Sequence, residues 1–131
     1  MNRLVPAAAL LGFLSVALGA FGAHALEGVL TGEGEGWWQT ATLYGLTHAG
    51  VALAAGLSGR GGKILIGGWV IVAGAVIFAG TLYAMALGAP RWFGAITPLG
   101  GLSLLAGWSL IGLGGFASAR RGQDAAPKEP V

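Results

Sequence analysis

Four long apolar stretches, separated by three short connections, occupy most of this 131-residue chain. They cover about residues 4–26, 38–57, 64–87 and 94–117, and the third and fourth contain no charged residue. A helix rises about 1.5 Å per residue, so roughly 20 residues cross a hydrocarbon layer about 30 Å thick. The pattern therefore predicts four membrane-spanning helices, of which the second is the shortest and most polar.

Few charged residues are present to cover the surface of a soluble fold. They make up 9% of the chain, against roughly 25% in an ordinary soluble domain. The seven Lys and Arg residues are spread over loops and termini, which argues against a nucleic-acid partner. The chain has no cysteine, which excludes disulfides, thiolate metal sites and cysteine nucleophiles. Membrane lipid is therefore the predicted surrounding of this protein.

The short connections also predict the topology, because they force neighbouring helices to run antiparallel. We expect an all-α fold, an integral membrane four-helix bundle with up-down topology, as a single domain over residues 1–117. Residues 118–131 are polar and contain proline. That composition predicts a disordered C-terminal tail.

Basic residues are distributed unequally between the two sides of this predicted bundle. Short cytoplasmic loops retain Lys and Arg, whereas the first connection is acidic, with Glu27, Glu33 and Glu35. Arg91 is the one basic residue on that acidic side. The six on the opposite side are Arg3, Arg60, Lys63, Arg120, Arg121 and Lys128. Both termini are therefore predicted to be cytoplasmic.

The first apolar stretch has a second interpretation as a cleaved signal peptide. It follows Arg3 and ends near Ala23-His24-Ala25, which resembles an A-x-A cleavage site. Its apolar run is about 20 residues, longer than the 7 to 15 of a signal core. We expect it to stay uncleaved, and cleavage would leave three spans in the same orientation.

Most polar groups of the predicted spans fall in the half nearer the outer side. His24 lies near the outer end of the first helix, whereas His48 is about ten residues in from Trp38, or ~15 Å at helical rise. Tyr44 and His48 are four residues apart and share a helix face. We therefore predict a polar cluster open to the outer leaflet. Its candidate ligand-binding residues are His24, Gln39, Tyr44, His48, Tyr83 and Thr97.

The two histidines leave several kinds of site open, because an ionisable group within a membrane is costly unless it is paired or wet. Metal binding, haem ligation, a proton relay and headgroup recognition are the functional alternatives. Two histidines are too few for a typical zinc site, and their different depths argue against a shared haem. The structural alternative is that His24 and His48 are neutral and hydrogen-bonded between helices. We predict no metal and no cofactor.

Small residues at regular spacing predict close helix packing. Such stripes let backbones approach closely in lipid, where packing drives helix association. They would serve contacts within the chain or with a partner. The predicted packing residues are Ser15, Gly19, Ala23, Ser103 and Gly107.

Pro98 has two interpretations. It lies in the first turn of the fourth helix, where its missing N–H costs nothing, or it kinks a helix that starts earlier.

No enzyme signature is present in the sequence. It lacks a G-x-S-x-G elbow, a P-loop and any acidic residue within a span. Small multidrug-resistance transporters have a similar size, but they use a membrane-embedded glutamate in the first helix, where this chain has only His24. We therefore predict no catalytic residues and no enzymatic activity.

Several motifs in fixed order resemble one family. They are Gly19-Ala20-Phe21-Gly22-Ala23-His24-Ala25-Leu26, Trp38-Gln39-Thr40-Ala41 with Tyr44 and His48-Ala49, Gly80-Thr81-Leu82-Tyr83, and Ile96-Thr97-Pro98-Leu99-Gly100-Gly101 with Gly107-Trp108. This order resembles the domain of unknown function 423 family, which is related to the eukaryotic transmembrane protein 256 group. The resemblance implies a small multipass protein of bacterial inner membranes with no established activity.

Two functions remain as hypotheses. The first is a non-enzymatic membrane protein that packs as a homo-oligomer or as an accessory subunit of a larger membrane complex, motivated by the small-residue stripes. The alternative is binding or transport of a lipid headgroup, quinone, metal or proton through the outer-half polar cluster.

Overall fold

The computed structural model describes residues 2–125, and every regular element in that part of the chain is helical. Helix α1 spans Leu4–His24 and α2 spans Glu33–Leu57. Helix α3 spans Lys63–Ala86 and α4 spans Thr97–Asp124, preceded by a short 3₁₀ turn at Arg91–Ala95. The predicted all-α class is therefore confirmed.

Three segments are long and apolar enough to cross a membrane: Leu4–His24, Lys63–Ala86 and Arg91–Asp124. Helix α2 has 25 residues, a comparable length, but it is more polar and carries Glu33 and Glu35 in its first turn. It begins five residues before the predicted start at Trp38. Carboxylates in a first turn are favourable because the helix dipole is positive there, which explains why the acidic segment joins the helix.

Helix α4 extends further than its apolar stretch. The tail predicted to be disordered from Ser118 is helical through Asp124, so the prediction was wrong for residues 118–124. Ala119, Arg120 and Arg121 are good helix formers, and extending an existing helix needs no new nucleus. Residues 126–131, the remainder of that tail, lie outside the described residues.

Glycine and proline mark the helix starts. Gly32 and Gly62 precede α2 and α3 with φ of 54° and 59°, a backbone region that side chains other than glycine's rarely adopt. Pro98 lies in the first turn of α4. The helix-start interpretation of Pro98 is therefore confirmed, and the kink alternative is excluded.

Consecutive helices pack side by side in opposite directions. Along α1 and α2, Gly45 lies against Ser15 and Gly56 lies against Val5, so residue numbers rise on one helix as they fall on the other. The extensive interfaces are those of α1 with α2, α2 with α3, and α3 with α4. Leu4 also reaches Gly68 of α3.

The α3–α4 interface is a seam of glycines. Gly67 and Gly74 of α3 face Gly107 and Gly100 of α4, and Gly114 of α4 lies against Ile64 of α3. The glycines of each helix repeat every seven residues. Seven residues are close to two helical turns, so each set lies on one face. A Cβ on Gly107 would lie 3.0 Å from the carbonyl oxygen of Gly67. The two backbones are thus in direct contact.

This seam differs from the predicted four-residue stripe. Gly107 belongs to it and Ser103 packs against Gly74, but the repeat runs through Gly100 and Gly114. In α1, Ser15 faces Gly45 as described, and Gly19 packs on Thr42 of α2.

Ala23, the third predicted packing residue of α1, is exposed and does not extend the α1–α2 contact. The α1–α2 contact continues instead through Gly22, seven residues after Ser15, where the indole of Trp38 packs.

The bundle is open on one side, between the first and the last helix. Within residues 2–125, α1 and α4 share no more than marginal contact. Helix α4 packs on α3 and approaches α2 only across a groove. Both outer helices expose large apolar side chains, among them Phe13 of α1 and Phe116 of α4.

Candidate functional site

The groove between α2 and α4 brings together Tyr44 and His48 from the predicted cluster. His48 is 8% exposed, and its Nδ1 lies 2.8 Å from the backbone oxygen of Tyr44. From α4, the indole N–H of Trp108 donates to Nε2 of His48 at 3.3 Å. Both ring nitrogens of this buried histidine therefore have partners.

These two partners define the tautomer of His48. A carbonyl oxygen only accepts and an indole N–H only donates, so Nδ1 carries the hydrogen and Nε2 is the acceptor. This tautomer satisfies both hydrogen bonds at once.

Aromatic rings form the walls of the groove. Tyr44 stacks on Phe78 of α3 with ring centroids 4.4 Å apart, and on His48 at 5.5 Å. The cavity has a volume of about 550 Å³. Its lining residues are Leu43, Tyr44, Thr47, His48, Phe78, Gly101, Leu104, Leu105 and Trp108. None of these side chains carries a formal charge, so the groove is neutral and largely apolar.

Two hydroxyl groups in this groove have no hydrogen-bond partner among residues 2–125. They belong to Tyr44 and Thr47, near the middle of the 25-residue helix α2. Most other hydroxyls within the helices are bonded, for example Ser15 Oγ to Leu11 O at 2.8 Å. A polar group without a partner is costly in hydrocarbon. The groove thus contains two hydroxyl donors without a partner in the described part of the chain.

Tyr83 and Thr97 lie outside the groove and are satisfied within the protein. The Tyr83 hydroxyl shares a hydrogen bond of 2.8 Å with Thr42 Oγ1, joining α3 to α2. Thr97 Oγ1 shares one of 2.7 Å with Thr81 Oγ1, joining α4 to α3. Because their hydroxyls are used between helices, the structure assigns both residues a packing contact.

His24 is separate from His48. Gly22, two residues before it, packs on Trp38, which is ten residues from His48, or ~15 Å along the helix. His24 is exposed. Across residues 2–125, no three His, Asp or Glu side chains lie close enough together to share a metal ion. The two histidines therefore do not form one site.

Gln39 lies at a second cavity, between the facing ends of α1 and α2. Its Nε2 donates to Glu35 Oε1 at 3.2 Å, and both line a volume of about 570 Å³ with Glu27 and Trp38. Trp38 is 4% exposed, and its Nε1–H donates to the backbone oxygen of Leu18 at 2.8 Å. The residues predicted as one cluster are thus divided among five places.

Sequence reasoning missed the groove residues on other helices. The four-residue spacing revealed the pair Tyr44 and His48, but Phe78 and Trp108 are 30 and 60 residues from His48 along the chain. No periodicity within α2 indicates which helices lie beside it. Thr47 directly precedes His48 in the sequence, and this adjacency is a signal that could have added Thr47 to the predicted site.

Comparison with known proteins identifies the family. Residues 18–101 match the family described as a protein of unknown function, DUF423. The chain belongs to this family. Within the DUF423 match lie Tyr44, Thr47, His48 and Phe78, whereas Trp108 falls beyond it.

Relatives of this DUF423 chain cover nearly its whole length. A UPF0382 inner membrane protein, YgdD of Escherichia coli, is 41% identical over 88% of this chain and 90% of its own length. UPF0382 membrane proteins of Haemophilus influenzae and Staphylococcus saprophyticus are 36% and 37% identical, over 89% and 88% of this chain and 96% and 98% of their own lengths. No solved structure matches. The chain is therefore a membrane protein of an uncharacterised family.

Proposed function

We propose that this protein is a non-enzymatic, four-span protein of the bacterial inner membrane that binds a neutral, lipid-soluble ligand in the groove between α2 and α4. The observation that carries this proposal is the pair of unpartnered hydroxyls, Tyr44 and Thr47, in an aromatic groove at mid-helix depth. A ligand that accepts hydrogen bonds from these two hydroxyls would remove the free-energy cost of leaving them without partners.

The lining of the groove restricts the chemistry of the ligand. A charged headgroup or a bare metal ion would find no counter-charge there. The aromatic side chains that line the cavity, Tyr44, Phe78 and Trp108, favour a flat ring as the ligand, because aromatic faces stack favourably. Carbonyl oxygens on that ring would accept from the two hydroxyls. A quinone with an apolar tail combines these properties and reaches the groove laterally from the bilayer.

Binding of a short-tailed quinone to the purified protein in detergent tests this proposal. Replacing Tyr44 by Phe or Thr47 by Val should weaken binding about five-fold each, because one hydrogen bond contributes about 1 kcal/mol. Isothermal titration measures the dissociation constants. Thr40→Val is the matched control, since Thr40 lies on the same helix, is exposed and does not line the groove.

Absence of quinone binding by the folded protein would overturn the proposal. Equal weakening by the Thr40 variant would do the same, because it would show a response unrelated to the groove.

The proposed topology places both termini and the α2–α3 connection in the cytoplasm, with α2 crossing the membrane. Arg60 and Lys63 at that connection, and Arg120 and Arg121 near the end of α4, lie at the end of the helices opposite to Glu33 and Arg91. This separation of charge agrees with retention of basic residues in the cytoplasm.

Because the chain contains no cysteine, single cysteines report its topology directly. In intact spheroplasts, a membrane-impermeant maleimide should label Thr31→Cys and Trp92→Cys and leave Gly61→Cys and Gln123→Cys unlabelled. Permeabilised cells provide the control, since all four exposed positions should react there. Labelling of Gly61→Cys from outside would contradict the proposed crossing of α2.

A second candidate function is assembly as a homo-oligomer or as an accessory subunit. It is favoured by the outward face of α1, where Leu10, Phe13, Leu14 and Val16 are exposed. The glycine seams are used within the chain, so a partner would pack on these larger side chains.

Native mass spectrometry of the protein released from lipid nanodiscs measures its assembly. We expect oligomers that Phe13→Ala reduces and that Leu102→Ala, an exposed position on α4, leaves unchanged. A stable lone monomer would contradict the homo-oligomer, and co-purification with no other chain would contradict the accessory role.

A further inference from the structure

A basic cavity lies at the end of the molecule opposite to the acidic loop. It has a volume of about 550 Å³ between the α2–α3 connection and the last third of α4. Its lining residues are Arg60, Gly61, Gly62, Lys63, Gly114, Ala117, Ser118 and Arg121. Three cationic side chains from two separate segments thus meet at one cavity, and no acidic residue lines it.

These cations have no counter-charge within the described part of the chain. The one ion pair among residues 2–125 joins Arg91 to Glu33 at the other end of the helices. Asp124 follows Arg121 by three residues but neither lines the cavity nor forms an ion pair. Arg120 does not line the cavity either, and its guanidinium lies over the Phe116 ring at 5.3 Å. The cavity therefore has a net positive charge that an anion would complement.

The backbone adds hydrogen-bond donors at the same place. Helix α3 begins at Lys63, and no side chain caps its first turn. The N–H groups of a first turn have no partners within their helix and favour an anion. Gly61 and Gly62 have no side chains that could obstruct access to this turn.

The position of the cavity indicates the source of the anion. Ile64, which follows Lys63, opens the apolar part of α3, and Leu57, Leu113 and Phe116 expose apolar side chains at this end of the molecule. A free phosphate would use the charges alone. A phospholipid would use both the charges and the apolar surface, because its phosphate and its acyl chains adjoin each other.

We propose that this cavity binds the phosphate headgroup of an anionic phospholipid of the cytoplasmic leaflet. The site is independent of the α2–α4 groove and makes no use of its residues. Bound lipid would join the first turn of α3 to α4 where Gly114 packs against Ile64. Basic pockets between spanning helices on the cytoplasmic side are suited to such headgroups.

Native mass spectrometry of the full chain in detergent, with phosphatidylglycerol, cardiolipin or phosphatidylcholine added, tests the proposal. The protein should retain the two anionic lipids in preference to phosphatidylcholine. Arg60→Gln, Lys63→Gln and Arg121→Gln should each lower the retention of phosphatidylglycerol about five-fold, the size of one cation's attraction to an anionic bilayer. The triple variant should lose the preference.

Arg120→Gln is the matched control, because it removes the neighbouring charge on the same helix but not one that lines the cavity. Lys63→Arg keeps the charge and should retain lipid, which separates a binding defect from a folding defect. If Arg120→Gln lowers lipid retention as much as the cavity variants do, the lipid responds to the net charge of the protein and not to the cavity, and the proposal is overturned. Inorganic phosphate that displaces lipid at millimolar concentration would identify a free-phosphate site and overturn the lipid assignment.

Discussion

Replacing Gly100 by alanine is expected to be among the most destabilising single-methyl additions in this protein. The new Cβ would lie 2.6 Å from the backbone nitrogen of Phe78 and 2.9 Å from the carbonyl oxygen of Gly74. Backbone atoms cannot rotate away as a side chain can, so α3 and α4 must separate. We expect a loss of about 2–3 kcal/mol in the free energy of unfolding, the usual size for overpacking of a tight contact.

Unfolding of the purified protein in mixed micelles, with increasing fraction of a denaturing detergent and detection by circular dichroism, measures this loss. Gly115→Ala is the matched control, because nothing lies within 4 Å of a Cβ at that position of the same helix. Alanine favours a helix over glycine by up to about 1 kcal/mol. The control should therefore be neutral or stabilising. Equal destabilisation by both variants would contradict the close backbone contact between α3 and α4 at Gly100.

Replacing Trp38 by alanine is expected to have a still larger effect on stability. The indole is 4% exposed, packs edge-to-face on Tyr83 with centroids 4.5 Å apart, and donates to the Leu18 carbonyl. It thereby connects α2 with both α1 and α3. Removing it creates a cavity at that junction, and truncation of a buried tryptophan costs about 3–5 kcal/mol.

The same detergent titration measures this variant against Trp92→Ala. Trp92 is 63% exposed, so its removal should change stability by less than about 0.5 kcal/mol. Trp38→Phe should fall between wild type and Trp38→Ala, because it keeps the ring contact with Tyr83 and loses the hydrogen bond to Leu18. A Trp38→Ala protein as stable as Trp92→Ala would exclude the proposed junction.

Much of the fold was predictable because it depends on the order of apolar and polar residues along the chain. Apolar runs and short connections predicted four helices, and the start of α4 followed from Pro98 in a first turn. Helix ends were less predictable where polar residues continue a helix. The segments before Trp38 and after Ala117 are both helical although neither is apolar. Hydropathy measures compatibility with lipid, whereas helix formation requires only a compatible backbone and a neighbouring turn.

The candidate site was predictable only in part, for a related reason. Tyr44 and His48 were paired correctly because both lie on one helix, and their spacing alone puts them on one face. Trp108 as the hydrogen-bond partner of His48 could not be inferred, since nothing along the chain indicates that α4 approaches α2. Residues predicted to share a cluster by depth, such as Tyr83 and Thr97, are instead used in separate interhelical contacts.

By itself, the sequence determined that this chain is helical, that lipid is its solvent and that the two ends of the helical bundle differ in charge. Each of these properties is a sum of contributions from individual residues along the chain. The tertiary structure alone decided which glycines form the seam, which hydroxyls are paired and where the groove and the basic cavity lie. Lipid provides little hydrophobic preference among helix faces, so their pairing depends on the close fit of small residues and on hydrogen bonds between specific groups. Such a fit exists only once the helices are placed side by side.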